Sequence, residues 1–418
     1  MRKFSTLAEN LIGSEIVKLG NAINERKRRG EHIYNFTIGD FDPKVFPIPD
    51  ELEQLIKEAY EHHYTNYPPA DGILELRQAV LSFLQENEGL HYATDEILIA
   101  SGGRPLIYTV FKSLVDKGDK VIYAVPSWNN NHYTGMNDAI HCCIDTTPEN
   151  NFMPLASDIE PYIADATLLC LCTPQNPTGT TLPLEDLQKI CDMVLAENAR
   201  RPAAAKKLYV MFDQMYWTLT YGTTLHHNPV TVNPAMKDYT IFIDGISKSF
   251  AATGVRVGWA FGPSDVIAKM KALLSHVGAW APLPEQKATA IFLTRKEGLK
   301  IWFNDFKEKL EFRLNSIYDG LQDLKNKGYK IDAIAPQAAI YLTVKFDLKG
   351  LTINGKSLET QQDVTDYLLD SAKLAIVPFS AFGGSKDSTW YRLSVGTCHS
   401  SDISAFLQQL EIALQQLK

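Results

Sequence analysis

A lysine that closely follows an apolar, strand-like run is the residue in this sequence best suited to covalent chemistry. Lys248 stands between two serines, five residues after the apolar run 241–243, and Arg256 follows eight residues later. Burial and nearby positive charge both favour the neutral amine, which is the nucleophilic form of a lysine. The pattern therefore indicates a lysine suited to Schiff-base chemistry with an aldehyde, with a plain surface lysine between two strands as the alternative.

Other residues with chemical potential occur at equivalent places, just after apolar strand-like runs. They are the glycine pair ending at Gly103, the aromatic Trp128, the amide Asn176 and the carboxylate Asp213. The strand-like runs are almost continuously apolar and alternate with helical segments, which is the pattern of a parallel sheet. Ligands of such sheets bind beyond the carboxyl ends of the strands. We therefore predict that these residues share one site with Lys248.

The elements that must hold these residues in place show recognisable helix and strand patterns. The run 33–38 is predicted as a strand, and the segment 282–327 has apolar residues at helical spacing. The last part of the chain combines a predicted strand at 339–346 with a predicted helix at 361–373. We therefore predict an α/β protein with a mostly parallel sheet, followed by a smaller α+β domain.

Composition and charge argue against several classes of protein. Of the 418 residues, 45% are apolar and 22% are charged, as in an ordinary globular protein, and the formal net charge of −8 gives no indication of nucleic-acid binding. No apolar run is long enough to span a bilayer, and the first residues lack the pattern of a signal peptide. The six cysteines form no C-x-x-C pair and most of them lie in apolar strand-like runs, which favours buried free thiols in the cytoplasm over disulfides or a metal site.

The stretch around Lys248 resembles the lysine motif of the class I and II pyridoxal-phosphate-dependent aminotransferases, the aspartate aminotransferase family of fold type I. The resemblance includes the preceding Ser247, Arg256 and the pair Gly258-Trp259. Further motifs of the family occur in its order, and they are Tyr67 five residues before Gly72, Asn-Pro-Thr-Gly at 176–179, and Asp-x-x-Tyr at 213–216. Single motifs of this kind are moderately specific, whereas several in the right order are a strong indication.

The resemblance implies a domain organisation. Residues 1–50 are expected to form an N-terminal arm and part of the small domain. Residues 51–290 are expected to form the large, cofactor-binding domain around the mostly parallel sheet, and residues 291–418 the small C-terminal domain.

The resemblance also implies pyridoxal 5′-phosphate (PLP) as the cofactor and assigns residues to its ring. Lys248 would form the Schiff base with PLP and then transfer the α-proton of the substrate. Asp213 would pair with the pyridine nitrogen and keep it protonated. Tyr216 and Asn176 would contact the phenolic oxygen, and Trp128 would stack on one ring face.

A second set of residues is implied for the cofactor phosphate. The backbone N–H groups of Gly103 and Arg104, the serine Ser247 and the guanidinium of Arg256 would surround it. Tyr67 would reach the phosphate from the other subunit. The resemblance therefore implies a homodimer in which each subunit completes the site of its partner.

The substrate side is implied by a third set. Arg392 would bind the α-carboxylate in a bidentate pair, with Gly39 and Asn176 beside it. Ser14 and Arg104 correspond to positions that contact the distal carboxylate in one subgroup of the family. The expected reaction is the exchange of an amino group between an L-amino acid and a 2-oxo acid, with aspartate or glutamate as expected donors.

Two segments depart from the family pattern and leave alternatives open. Residues 128–132 read Trp-Asn-Asn-Asn-His instead of the commoner Tyr-Trp sequence, and the second departure is in the predicted small domain. Where the family has Pro-x-Gly-[Ala/Gly]-Phe-Tyr, residues 336–341 read Pro-Gln-Ala-Ala-Ile-Tyr, which bears on the substrate side rather than on the cofactor. A PLP-dependent C–S lyase and an aromatic or kynurenine-type aminotransferase use the same scaffold. A ligand-sensing regulator is an alternative of another class, but such relatives are expected to have a DNA-binding domain of roughly 70 or more residues before the strand near Phe36, where this chain has about 35. A binding or structural protein without catalysis is a third alternative, against which the presence of Lys248, Asp213 and Arg392 argues.

Overall fold

The computed structural model describes residues 4–11, 13 and 15–418 of the chain. Its strands are β1 Tyr34–Asn35, β2 Ile97–Ala100, β3 Lys120–Val125, β4 Ile140–Asp145, β5 Ala166–Cys172, β6 Tyr209–Asp213, β7 Thr240–Gly245, β8 Gly258–Phe261, β9 Ile331–Ala333, β10 Tyr341–Phe346, β11 Thr352–Ile353, β12 Lys356–Ser357, β13 Leu374–Ala375, β14 Val377–Pro378 and β15 Trp390–Ser394.

The helices alternate with these strands in the first two thirds of the chain. They are α1 Thr6–Asn10, α2 Glu15–Arg28, α3 Asp50–Glu61, α4 Leu74–Glu88, α5 Gly103–Leu114, α6 Asn130–Met136, α7 Ala156–Ile163, α8 Leu184–Arg200, α9 Pro229–Val232, α10 Ile246–Ser249, α11 Ser264–Val277, α12 Leu283–Phe292, α13 Lys296–Asn326, α14 Gln361–Ser371 and α15 Asp402–Gln415.

A mostly parallel sheet is the frame of the larger part. Within the described ranges it has the strand order β2-β8-β7-β6-β5-β3-β4, and only β8 runs antiparallel to its neighbours. Its central strands are buried along almost their whole length, as the apolar runs indicated. The prediction of an α/β protein with a mostly parallel sheet is confirmed.

Two apolar cores lie on opposite faces of this sheet. Met211, Ile241 and Ile243 pack with residues of α5 and α11, whereas Phe212 and Phe242 pack with residues of α4, α8 and α12. Because side chains alternate between the faces of a strand, neighbouring residues of β6 and β7 point into different cores. The same alternation continues at the carboxyl ends of these strands and separates their polar residues.

A third core joins the beginning of the chain to its end. Phe36, Phe41 and Phe46 pack against the apolar stripe of α13 and against β10 and β15. The apolar positions that predicted this helix are all buried, and they are Leu310, Leu314, Ile317, Leu321 and Leu324. β10 pairs antiparallel with β9 and β15, which is the smaller α+β unit predicted for the last part. The domain boundaries at residues 50 and 290 stay predictions.

Two predictions from the sequence need correction. The strand predicted at 33–38 is limited to β1, because Asn35 turns its side chain back and accepts hydrogen bonds from the backbone and hydroxyl of Thr37. The six cysteines are free, as predicted, but Cys143 is exposed on β4 rather than buried.

Hydropathy gives one further finding. Among the helices described, none combines the length and the apolar composition needed to cross a membrane.

Candidate active site

A cavity of about 750 Å³ lies at the carboxyl ends of β5, β6 and β7. The structure brings most of the predicted site residues to its wall, and they are Gly39, Gly103, Arg104, Trp128, Asn176, Asp213, Tyr216, Ser247, Lys248, Arg256 and Arg392. They come from segments more than 300 residues apart in the chain. The parallel sheet explains the convergence, since the ends of neighbouring parallel strands meet at one edge.

Lys248 lies on the short helix α10, which begins directly after β7. Its amine donates a hydrogen bond of 2.6 Å to the backbone oxygen of Gly39. Desolvation lowers the pKa of Lys248 to about 8, with the charges of Arg392, Arg104 and Arg256 acting in the same direction and Asp40 opposing them. At pH 7 about a tenth of this amine is therefore neutral and nucleophilic, far more than of a lysine with the ordinary pKa.

Asp213 is the last residue of β6, and its neighbours in the parallel sheet are Cys172 and Ile243. Its carboxylate accepts a hydrogen bond of 3.1 Å from the backbone N–H of Met215. Desolvation raises the pKa of Asp213 to about 6, and this hydrogen bond opposes the rise. Among the described residues no cationic side chain forms an ion pair with this desolvated carboxylate, which is therefore suited to pair with a protonated ring nitrogen.

The start of α5 and Arg256 form a cationic corner of the cavity. Gly102 precedes the helix with φ of +85°, and a Cβ at this position would lie 2.1 Å from the guanidinium of Arg256. That guanidinium donates to the backbone oxygens of Thr253 and Ser101 at 2.7 and 2.6 Å. Free N–H groups at a helix start and a fixed guanidinium together suit a phosphate group.

Arg392 is fully enclosed, with 1% of its surface exposed. One guanidinium nitrogen donates to Asn176 Oδ1 at 2.9 Å, a second donates to the backbone oxygen of Thr37 at 2.7 Å, and Nε has no partner among the described residues. A Cβ on Gly39 would lie 3.3 Å from this guanidinium, so the glycine leaves space beside it.

Arg104 is another cation of the cavity wall, and it contacts Trp128. The guanidinium of Arg104 lies over the indole of Trp128, 5.3 Å from its centre. This distance is within the range of a cation–π contact, which orients a side chain that is otherwise exposed.

The hydroxyls of Tyr216 and Tyr341 are 2.5 Å apart, and both side chains are buried. Desolvation raises the pKa of Tyr216 and the pKa of Tyr341, so both phenols are protonated.

Among the predicted site residues that the structure describes, only Tyr67 is not in the cavity wall. Tyr67 is 83% exposed and its ring packs edge-on against Trp280, 5.4 Å between centres, away from the cavity of its own chain. Ser14 lies outside the described residues.

Among the members of the wall that the sequence reasoning missed are three polar residues whose contacts connect parts of the site: Asp40, Thr253 and Tyr341. Thr253 donates to Asp40 at 2.6 Å and ties the loop after Lys248 to the segment after β1. The signal that could have found Asp40 was its position directly after Gly39, which was already predicted to belong to the site. Tyr341 was seen only as the end of the departing segment 336–341.

Comparisons with known proteins agree with this geometry. The profile of the family described as aminotransferase class I and II matches residues 31–410. The aspartate aminotransferase of Rhizobium meliloti is 27% identical over 413 residues, covering 97% of this chain and 94% of that protein. The bifunctional aspartate aminotransferase and glutamate/aspartate-prephenate aminotransferase of Petunia hybrida is 30% identical, covering 91% and 75%. The crystal structure of the Rhizobium meliloti enzyme superposes over 100% of both chains with a TM-score of 0.90 at 26% identity.

The chain belongs to the class I and II aminotransferases. It is a fold type I enzyme that uses PLP and transfers amino groups. The cavity fits this cofactor, because a desolvated carboxylate, a lysine amine and a cationic corner at a helix start face one enclosed space. When bound, PLP supplies a carbonyl carbon that combines with amines and a ring that accepts electrons.

Proposed function

We propose that this aminotransferase acts on dicarboxylic amino acids, aspartate or glutamate, and on the corresponding 2-oxo acids. The observation that carries the proposal is the presence of two arginines, Arg392 and Arg104, in the wall of the cavity that contains Lys248. A dicarboxylic substrate has two carboxylates for these two cations. The aspartate aminotransferases among the relatives support the same substrate class.

Arg392 is the stronger of the two cationic positions. Among the described residues no carboxylate lies within 4 Å of its guanidinium, which has only neutral acceptors. A buried cation without an anionic partner is costly, and burial accordingly lowers the pKa of Arg392. A substrate carboxylate would supply the missing charge, in the bidentate geometry that a guanidinium favours.

Arg104 is the cation proposed for the distal carboxylate. It also has no carboxylate partner in the part of the chain that the structure describes, and its contact with Trp128 holds it at the cavity wall. The competing role is with the cofactor phosphate, because Arg104 is the second residue of α5 and lies near Arg256. An aromatic donor would need no cation at this position.

The other residues of the cavity have proposed tasks that use their observed positions. Lys248 would bind the cofactor through its amine and later move a proton at the α-carbon of the substrate. Asp213 would hold the ring nitrogen in its protonated form. Tyr216 and Asn176 would bind the phenolic oxygen, and Trp128 would pack on the ring.

The phosphate has its own proposed set of ligands. The N–H groups of Gly103 and Arg104 at the start of α5 would donate to it, together with Ser247 and the guanidinium of Arg256. Gly39 would leave room for the α-carboxylate beside Arg392, and Ser14 would assist at the distal carboxylate.

A half-reaction screen tests the substrate class. The holoenzyme is mixed with aspartate, glutamate, methionine, phenylalanine or kynurenine, and the change in cofactor absorbance is followed. Acidic donors should react fastest. Arg104→Leu should slow only the acidic donors, by about 10- to 100-fold, or about 1–3 kcal/mol, since Arg104 is partly exposed and its charge is partly screened.

Arg104→Lys is the matched control, because it keeps the charge and loses the planar fork. It should retain part of the preference for acidic donors. Equal losses for all five donors in Arg104→Leu would assign Arg104 to the phosphate instead. No preference for acidic donors in the unmutated enzyme would refute the proposed substrate class.

The active unit is proposed to be a homodimer. Tyr67 is 83% exposed although it is a large aromatic residue, which suits a side chain covered by a partner subunit. There it would reach the partner's phosphate site. Sedimentation at working concentrations should show a dimer, and Tyr67→Phe should weaken PLP binding. A fully active monomer would remove Tyr67 from the site.

A cytoplasmic location is also proposed. The free thiols, of which Cys142, Cys170 and Cys191 are buried, suit a reducing compartment. Fractionation of the source cells should recover the protein with cytoplasmic markers, and recovery from an oxidising compartment would contradict the proposal.

A further inference from the structure

Tyr341 links the two halves of the site, although nothing in the family motifs assigned it a task. It is the first residue of β10, 1% exposed, and its hydroxyl lies 2.5 Å from that of Tyr216. The two residues are 125 positions apart, and Tyr216 follows the end of β6 in the large sheet. Tyr341 therefore contacts the cofactor side of the cavity from the opposite part of the molecule.

The position of Tyr341 is fixed from two sides. β10 pairs with β15 so that Thr343 lies opposite Arg392, and the guanidinium of Arg392 lies 4.7 Å from the ring centre of Tyr341. Gly179, with φ of +71°, packs so closely that a Cβ there would lie 2.2 Å from the backbone oxygen of Tyr341. The Asn-Pro-Thr-Gly turn and Arg392 thus hold this tyrosine in one place.

The proposed role of Tyr216 gives the hydrogen bond a direction. Each phenol has one proton, and the geometry of the pair allows either hydroxyl to donate. If Tyr216 gives its proton to the phenolic oxygen of the cofactor, as proposed above, its own oxygen can only accept from Tyr341. Tyr341 is then the donor of the pair.

We propose that Tyr341 is a positioning residue, which donates its hydroxyl proton to Tyr216 and so directs and strengthens the hydrogen bond from Tyr216 to the cofactor. This inference rests on the proposed role of Tyr216 at the phenolic oxygen of PLP. An oxygen that accepts a hydrogen bond becomes a better donor through its own O–H group. The guanidinium of Arg392 also lies over the ring of Tyr341. One side chain therefore contacts both Tyr216, which is proposed to bind the cofactor, and Arg392, which is proposed to bind the substrate carboxylate.

Two substitutions distinguish the task of the hydroxyl from the task of the ring. Tyr341→Phe removes the hydroxyl and retains the ring under Arg392, whereas Tyr341→Leu removes both. Tyr341→Phe should therefore lower kcat by about three- to tenfold and leave KM for the amino donor near its normal value. Tyr341→Leu should lower kcat and raise KM.

A spectroscopic readout distinguishes this role from a merely structural one. The absorbance of the bound cofactor is titrated with pH in the holoenzyme, in Tyr216→Phe, in Tyr341→Phe and in the double variant. A donor at the phenolic oxygen favours the deprotonated cofactor, so Tyr216→Phe should raise the midpoint of the transition. Tyr341→Phe should raise it in the same direction by a smaller amount, about 0.5 pH unit or less.

The surroundings of the hydroxyl pair are the same in all four proteins. The charged or titratable groups near the two tyrosines are Arg392, Cys172, Asp40 and Lys248, and none of them is changed. The expected result is non-additive, because Tyr341→Phe should have no effect on midpoint or kcat once Tyr216 is Phe.

The possible outcomes distinguish the positioning role of Tyr341 from the proposed contact of Tyr216 with the cofactor. If Tyr341→Phe causes the same change in both backgrounds, or does not move the midpoint while Tyr216→Phe does, the positioning role is overturned and Tyr216 keeps its proposed role. If Tyr216→Phe itself leaves the midpoint unchanged, the proposed contact of Tyr216 fails, and this inference fails with it. Tyr341→Leu provides a second variant without the hydroxyl, should Tyr341→Phe not refold.

Discussion

Desolvated carboxyls lie near the carboxyl ends of β6 and β7 on both faces of the sheet. On the cavity side, Asp213 shares its environment with Lys248 and with the arginines of the site. On the other side is a group that we call the rear cluster, composed of Glu88, Gln214, His226 and Asp244. Gln214 directly follows Asp213, and Asp244 precedes Lys248 by four residues.

The rear cluster is closed and contains no cationic side chain. Gln214 donates to Glu88 at 2.7 Å and is paired through its oxygen with His226 at 3.3 Å. Trp217 donates to Asp244 at 2.9 Å, and among the described residues neither carboxyl has a lysine or arginine within 4 Å. Burial raises the pKa of Glu88 to about 8 and of Asp244 to about 7, and it lowers the pKa of His226 to about 3.

The comparison shows that a displaced pKa does not by itself mark an active site. Desolvation raises the pKa of the carboxyl on both faces, and more strongly in the rear cluster than at Asp213. Only the cavity side combines the shifted carboxyl with cations, a nucleophile and space for a ligand. The rear cluster can reach neutrality only by binding protons, whereas Asp213 can pair with a protonated ring.

The largest expected difference between the two faces concerns the lysine. Lys248→Ala should still bind PLP but lose transamination by about 10⁴-fold, because the nucleophile and the proton carrier are both removed. Asp244→Asn should change the rate by less than about tenfold, since Asp244 is not part of the cavity wall. Half-reaction rates measure both. Equal losses would show that the rear cluster is part of the catalytic apparatus. Borohydride reduction of the unmutated holoenzyme should label the peptide with Lys248 and no other lysine.

The two carboxyl types should differ in the same assay. Asp213→Asn should lower the half-reaction rate by about 10²- to 10⁴-fold while the fold persists, because the ring nitrogen loses the charge that keeps it protonated. Glu88→Gln is the control from the other face and should react close to the normal rate. A normal rate in a folded Asp213→Asn variant would make Asp213 only a structural residue.

The acidity of Lys248 predicts a pH profile for the protein without cofactor. Since desolvation lowers its pKa to about 8, half of the amine should be neutral at that pH and nearly all of it about one pH unit higher. The rate of acetylation by a brief pulse of acetic anhydride should rise about tenfold per pH unit below this value and then level off. Peptide mass spectrometry measures it. A rate for Lys248 that rises without a plateau to pH 10 would contradict the shifted pKa.

The rear cluster should affect stability with the opposite pH dependence from an ion-paired carboxylate. Folded Glu88 holds its proton up to about pH 8, whereas unfolded Glu88 releases it near the ordinary 4.5. The folded form therefore binds more protons between these values. Its share of the unfolding free energy is present at low pH and is lost as pH rises from 4.5 to 8, by up to about 1.4 kcal/mol per pH unit.

Urea unfolding at pH 5, 6.5 and 8 tests this effect. Glu88→Gln should flatten the decline in stability seen in the unmutated protein. Glu86→Gln, on the same helix with a side chain that is 42% exposed, is the matched control and should keep the decline. An unchanged slope in Glu88→Gln would show that Glu88 is ionised in the folded protein.

The sequence by itself determined the fold class, and most of the site residues predicted from it lie in the cavity wall. Lys248, Asp213 and Asn176 each lie at or just after the end of a buried strand, and parallel strands bring their carboxyl ends to one edge whatever the details of packing. The lysine motif added Arg256, and the resemblance to the family added Arg392. Local order along the chain was sufficient here, because each of these residues is placed by the strand next to it.

Only the tertiary structure decided which side chains meet across the domains and across the sheet. The contact of Tyr341 with Tyr216 joins residues 125 positions apart, and the rear cluster joins Glu88 to Gln214 over 126 positions. Such contacts depend on how β10 packs on the end of the large sheet and how α4 packs on its rear face. The spacing of residues in a sequence carries no measure of these distances, so a tyrosine in a departing motif and a glutamate at the end of a helix looked ordinary.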